Sequence, residues 1–217
     1  MNHNVSKHYD QSYFEWQASI GEFGGRANAA KFAGFIKPDD DVLDFGCSGG
    51  WLLKNIPCHD KMGIEIIPEA AQVALENGLR VFGTTREVPD RSADVIISNH
   101  VLEHTLDPLR ELQALRSKLR PGGLVVFVVP CESVDVAYMS GDVNHHLYSW
   151  SPMCLGNLFT EAGYTVIECQ PFLHKWPPKY QFIARVGGRA IFDFASRLYA
   201  LVSRSYSQVR VVAKVEA

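Results

Sequence analysis

Two periodicities alternate along the chain. Almost purely apolar runs occupy 42–45, 62–66, 79–82, 95–98, 124–129, 165–169 and 209–215, and between them apolar positions recur every three to four residues. A run without polar alternation marks a strand covered on both faces, as in a parallel sheet, whereas the longer period marks an amphipathic helix. The pattern predicts seven strands, with helices at 27–36, 51–55, 69–77, 108–119 and 151–162. Their ends carry local signals: Pro108 suits a first helical turn, Gly78 after Asn77 stops a helix, and Pro121-Gly122-Gly123 separates a helix from the fifth strand. Alternation of this kind predicts a doubly wound α/β domain, a mostly parallel sheet between two helical layers.

A further amphipathic segment, 188–205, precedes the last strand. Ile191, Phe194, Ala195, Leu198, Leu201 and Val202 fall on one helical face, and Arg189, Asp193, Arg197 and Arg204 lie elsewhere. Such a helix packs on the domain, covers the substrate, forms a dimer face or rests on a membrane surface, and the sequence leaves these four open. The N-terminal stretch 8–26 holds Tyr9, Tyr13, Phe14, Trp16 and Phe23. It reads as a helix packing aromatic rings on the sheet, or as a lid whose Tyr13, Trp16 or Gln17 meets a cofactor, with Gly24-Gly25 as its hinge.

Composition narrows the class. At 217 residues and 47% apolar content the chain builds one core, so 1–217 is expected to be one domain: a helical lid over 1–36, a cofactor-binding core over 37–130, and a substrate side with the C-terminal strands over 131–217. A net charge of -3 leaves no basic footprint for nucleic acid. The five cysteines are scattered and never spaced as C-x-x-C, so neither a disulfide framework nor a cysteine zinc site is expected. The longest aliphatic and aromatic run, 124–129, is far short of the ~20 residues of a membrane span, and a cytoplasmic location is expected.

The most informative segment is VLDFGCSGGWLL at 42–53, a buried strand followed by a turn holding Gly46, Ser48, Gly49 and Gly50 and then by a helix. Glycines let backbone approach a ligand, and the helix start offers unpaired N–H groups. Glu65 stands about 20 residues on, at the end of the second strand, where a carboxylate accepts both hydroxyls of a ribose. Two cofactor classes compete: a dinucleotide, and a nucleoside such as S-adenosylmethionine. The dinucleotide fingerprint G-x-G-x-x-G is not met. Asp44 before the turn disfavours a pyrophosphate and suits a ligand carrying an ammonium and a sulfonium.

With VLDFGCSGG at 42–50, MGIEIIPEA at 62–70, ADVIISNHVLEHTLDP at 93–108 and LRPGGLVVFVVP at 119–130, in that order, the sequence resembles the class I S-adenosylmethionine-dependent methyltransferases. The block HLYSWSPMCLGNLFTEAGYTVIE at 146–168 is similar to the substrate side of that superfamily's small-molecule branch. The resemblance implies a Rossmann-like seven-stranded sheet with an antiparallel last strand, and S-adenosylmethionine across the carboxyl ends of the first strands. By position, Asp44 and Gly46 would face the methionine part, Glu65 the ribose, and Asn99 and His100 the sulfonium side. Cys47, Ser48, Gly50, Ile66 and Thr84 complete the expected cofactor set, with Tyr13 and Trp16 from the lid. Ser48 stands where a glycine is usual, which is tolerable if its backbone avoids positive φ. Thr84-Thr85-Arg86-Glu87 replaces an acidic residue usual near adenine.

HVLEH at 100–104 satisfies the H-x-x-E-H pattern of one metallopeptidase family, but that site needs a longer helix than Pro108 allows. Methyl transfer to a hydroxyl needs an aligned acceptor and removal of its proton, which an imidazole can perform. His100, His104 and His146 are the candidates, with His146 preferred and Asp142, Asn144 and Tyr148 beside it. Asp142, His145 and His146 could also hold a divalent ion, but they close no ligand spacing; that option is minor and no metal is expected. The stretches NHHLYSWSP, YFEWQ and GEFGG resemble methyltransferases of bacterial surface-polysaccharide clusters, which implies O-methylation of a sugar, nucleotide sugar or glycan. A quinone-type acceptor, or a non-catalytic cofactor-binding partner subunit, is the alternative.

Overall fold

The computed structural model describes residues 11–203 and 206–216, without the side chains of 11–13, 16 and 206. The expected lid contacts of Tyr13 and Trp16 lie outside the described side chains. Seven strands form one sheet: β1 (Asp41–Phe45), β2 (Asp60–Ile64), β3 (Arg80–Phe82), β4 (Ala93–Asn99), β5 (Leu119–Glu132), β6 (Thr165–Phe172) and β7 (Tyr206–Lys214). Their order is β3-β2-β1-β4-β5-β7-β6. The first five are parallel, and β7 runs antiparallel between β5 and β6. The seven apolar runs thus all become strands.

Alternate residues of each central strand serve opposite layers, as the pleat requires. Leu43, Phe45, Ile96 and Phe127 face one cluster, with Leu112 and Leu115 of α5 (Pro108–Arg116) and Leu155 and Phe159 of α6 (Pro152–Glu161). Val42, Val95, Ile97, Val126 and Val128 face the other, with Phe32, Leu53 of α3 (Trp51–Lys54) and Ala74 of α4 (Pro68–Glu76). Helix starts follow their local chemistry. The Asp107 carboxylate accepts from Arg110 N and the Ser151 hydroxyl from Cys154 N, each before a proline in the first turn.

Three boundaries differ from expectation. The segment expected as one helix over 27–36 is α2 (Gly21–Ala29) followed by a 3-10 turn, Ala33–Phe35, while α1 (Gln11–Ala18) precedes it. Glycines in a helix cost about 1 kcal/mol each, but here close approach decides. A Cβ on Gly25 would collide with the backbone carbonyl oxygen of Trp51. Gly24 and Gly25 therefore lie inside a packed helix and form no hinge. Strand β5 begins before Pro121-Gly122-Gly123, where its register against β4 shifts and Gly122 takes φ 77°.

The segment expected at 188–205 is part of a longer helix, α7 (Tyr180–Val202), broken at Gly188 with φ 66° and ψ -171°. Its orientation is the reverse of a packed amphipathic helix. Phe192 and Ser196 are buried, whereas Ile191, Phe194, Leu198, Leu201 and Val202 are exposed. No described helix is long and apolar enough to cross a membrane.

Candidate active site

From β1 the chain moves outward through β2 and β3, then returns to β4 on the other side of β1. Where the direction reverses, loops diverge from the carboxyl ends of β1 and β4 and leave a crevice. A cavity of about 520 Å³ occupies that place. Its lining includes Asp44, Gly46, Cys47, Ser48, Glu65, Ile66, Asn99, His100, His104 and His146. Ten expected site residues therefore converge. Gly50 and Thr84 do not: Gly50 is the left-handed residue that starts α3, and the Thr84 hydroxyl donates to Glu87 within its own turn.

The glycine turn is held by its own acid. Glu65 accepts from Ser48 N through one oxygen and from Ile67 N through the other, both at 2.8 Å. This leaves one acceptor position on each oxygen, because a carboxylate oxygen has two. Ser48 does not avoid positive φ as expected; it takes φ 47°. That conformation costs a non-glycine residue roughly 1–2 kcal/mol. The amide bond to Glu65 offsets it, together with the Ser48 hydroxyl, which donates to Gln17 Oε1 at 2.9 Å. The same bond ties α1 to the turn.

Burial sets the charge states of this end. It raises Asp44 to about 8, helped by the charge of Glu65, and it raises Glu65 despite the amides of Ile67 and Ser48 that bond it. Cys47 is buried and its thiol is pushed up by the same burial; its sulfur fills the space where Gly63 lacks a side chain. Trp51, which the sequence reading placed only at a helix start, lines the cavity with its ring stacked on Phe14. Gly21 and Gly49 give that ring room.

At the carboxyl ends of β4 and β5 the lining turns to amide and imidazole groups. His100 takes φ 59°, its amide donating to Val128 O, and burial lowers its ring to about 3. Asn99 Oδ1 accepts from Lys31 Nζ at 2.9 Å. The same ammonium donates to Gln208 Oε1 at 2.8 Å, and burial lowers it to about 7. Lys31 was missed in sequence, although a lone lysine in the apolar run NAAKFAGF is a signal of a buried, partnered cation.

The expected HVLEH motif adopts a 3-10 turn over Leu102–His104 instead of a helix presenting His100 and His104 together, so the metallopeptidase geometry is absent. Glu103 is fully buried between histidines: His100 Nδ1 at 3.6 Å, His104 Nε2 at 3.8 Å and His146 Nε2 at 3.9 Å from its Oε1. Burial raises its carboxyl to about 8. His146 Nδ1 lies 2.6 Å from Glu132 Oε1, so Glu132 fixes the tautomer in which Nδ1–H donates and Nε2 keeps a lone pair. Asp142 accepts from the backbone of His145, outside this group. Trp176 lines the cavity, while Trp150 does not and is buried in the core.

A model of the methyltransferase domain family matches residues 22–169. Among curated relatives, the ribosomal protein L11 methyltransferase of Burkholderia cenocepacia is 32% identical over 98 residues, 42% of this chain and 32% of that protein. The ubiquinone biosynthesis O-methyltransferase of Cereibacter sphaeroides is 33% identical over 99 residues, 39% of each. The chain thus spans about a third of the length of the curated relatives it matches. A Haloferax volcanii methyltransferase solved with the Trm112 methyltransferase activator aligns with TM-score 0.68 at 20% identity, covering 94% of this chain and 98% of that one. A Haemonchus contortus phosphoethanolamine N-methyltransferase solved with S-adenosylhomocysteine gives 0.64 at 14%, covering 94% and 59%. With a family model over more than half its length and the fold of these neighbours, the chain belongs to the methyltransferase domain family, within the class I S-adenosylmethionine-dependent methyltransferases.

Proposed function

We propose that the chain methylates a hydroxyl of a small polar acceptor of the sugar, nucleotide-sugar or glycan class. The observation that carries this reading is a single cavity holding two kinds of group. Asp44 and Glu65 are acids at the glycine turn, and His104 and His146 are imidazoles backed by Glu103 and Glu132.

The first group fits the cofactor. Asp44 is a buried carboxyl facing the cavity, suited to an ammonium or sulfonium, and each Glu65 oxygen retains an acceptor position for a ribose hydroxyl. When bound, S-adenosylmethionine supplies a methyl group already activated on sulfur. The protein then has to align an acceptor and ease the departure of its proton. In this reading His146 activates the hydroxyl, which is supported by the Glu132 contact that leaves its Nε2 lone pair available. Asn28, Asn144, Gln208 and Lys175 offer polar contacts and Trp176 an aromatic face, the mixed lining that suits a sugar.

A quinone-type phenol is the second reading, favoured by the likeness to the ubiquinone biosynthesis O-methyltransferase. Calorimetric titration with S-adenosylmethionine and S-adenosylhomocysteine tests the cofactor site. Saturable binding is expected, weakened at least about tenfold by Glu65→Ala, since bonds to a charged group are worth about 1.5–3 kcal/mol. Transfer to a panel of sugar nucleotides and catechols tests the acceptor. His146→Ala is expected to keep cofactor affinity and slow transfer about 100-fold or more. Absence of cofactor binding in the folded wild type would overturn the reading.

A further inference from the structure

Glu103 presents a problem that the reading above leaves unsolved. Its side chain is fully buried, and among the described residues neither carboxylate oxygen has a hydrogen-bond partner. Leaving such a group unsatisfied costs roughly 1–3 kcal/mol, and more when it is charged. The nearest buried ammonium, Lys31, directs its bonds to Asn99 and Gln208. What surrounds Glu103 instead is a ring of imidazoles whose nitrogens stand 3.6–3.9 Å away, too far for hydrogen bonds.

Those separations have another meaning. Ligand atoms bound to one ion at about 2.0–2.2 Å sit roughly 3–4 Å from each other. Donor atoms of Glu103, His104 and His146 all lie within 4.8 Å of one another. Glu132, 2.6 Å from His146 Nδ1, supplies the outer carboxylate that orients a metal-bound histidine. His104 and His146 line the cavity, so positions on an ion held there remain open toward an acceptor.

We propose that Glu103, His104 and His146 form a divalent-cation site at the acceptor end of the cavity. Two imidazoles and one carboxylate with open positions suit a first-row ion such as zinc, cobalt, manganese or iron more than magnesium. The site departs from the sequence expectation of no metal, because its ligands come from the turn after β4 and from the loop after β5, and no local spacing reveals them. The proposal rests on the methyltransferase reading and deepens it: His146 activates the acceptor through the ion. A hydroxyl that joins the ion loses its proton more readily; the O–H bond breaks, the electron pair stays on oxygen and the proton passes to solvent.

Cobalt(II) is the probe, added to full-length protein freed of metal by a chelator. One equivalent is expected to bind with the visible absorption of a histidine-ligated ion, and zinc(II) is expected to displace it. Glu103→Gln, close in volume but uncharged, should weaken cobalt binding at least about tenfold and leave S-adenosylmethionine affinity within about twofold. His146→Ala, at a less buried position, should do the same and serves as the second variant should Glu103→Gln fail to fold. Wild-type protein that binds S-adenosylmethionine but shows only the spectrum of hydrated cobalt overturns the metal site and leaves the methyltransferase reading standing. Equal uptake by wild type and both folded variants also overturns it. Wild type that binds neither cobalt nor S-adenosylmethionine overturns both.

Discussion

Asp44 is a buried acid whose ordinary charge is missing at neutral pH. Burial and the neighbouring charge of Glu65 raise it to about 8, so at pH 7 the free protein carries it mostly protonated. A cation beside it favours the ionised form. Cofactor binding at pH 7 is therefore expected to release close to one proton, and affinity should rise with pH until about pH 8 and then level. Calorimetry in buffers of different ionisation enthalpy measures this directly. The proton release should vanish in Asp44→Asn, and equal release from that variant would remove Asp44 from the coupling. The role of Asp44 was legible from sequence because strand, turn and acid are adjacent. Glu103 was not: it sits inside a motif weighed as a peptidase signature, and its meaning depends on His146, 43 positions away and on another loop. The left-handed backbones of Ser48 and His100 were equally hidden, since tertiary bonds hold both of these non-glycine residues at positive φ.

Elements meet through few, definable contacts. Phe127 at the centre of β5 is fully buried between Phe45 and Phe159, and Phe127→Ala should cost about 3–5 kcal/mol in a denaturant titration. Gly25→Ala should detach α2 from α3, because the added methyl meets the Trp51 carbonyl and cannot displace it. The expected result is a cofactor affinity lowered at least about tenfold with the sheet intact by circular dichroism. At the other end of the sheet, Arg120 bonds both Asp41 and Asp94, and His59 bonds Asp41, joining β1, β4 and β5. The His59 bond, then the Arg120 bond, holds Asp41 below its usual value, so its contribution is present above the unfolded value of about 3.9 and fades as pH falls through the folded one. Asp41 raises His59, whose share is present below about 6.5 and is lost as pH rises through its folded value. Asp41→Asn should therefore lower the Tm most between about pH 4 and 6.5, less above that window, and least in acid. The strands were readable because burial on both faces writes a continuous apolar run; α2 was misplaced because its glycines obey the shape of Trp51, which no local period records.

Across the whole molecule, the layer order and the position of the crevice follow from the strand pattern, while the surface of α7 does not. The face that periodicity marks as apolar, Ile191 through Val202, turns outward, and the packed side is the one holding Phe192 and Ser196. A hydrophobic period fixes which residues share a face but not which way that face points. Strand β7 has a further consequence, for synthesis. It is the only described strand paired with β6, and it lies between β6 and β5. During translation β6 therefore leaves the ribosome with no partner, and the edge of β5 stays open until β7 follows, some forty residues later. The nascent chain has the cofactor-facing strands β1 to β5 early, yet it carries an unpaired edge and a loose strand through the whole interval in which α7 is made, and Gln208 of β7 joins the cavity wall last.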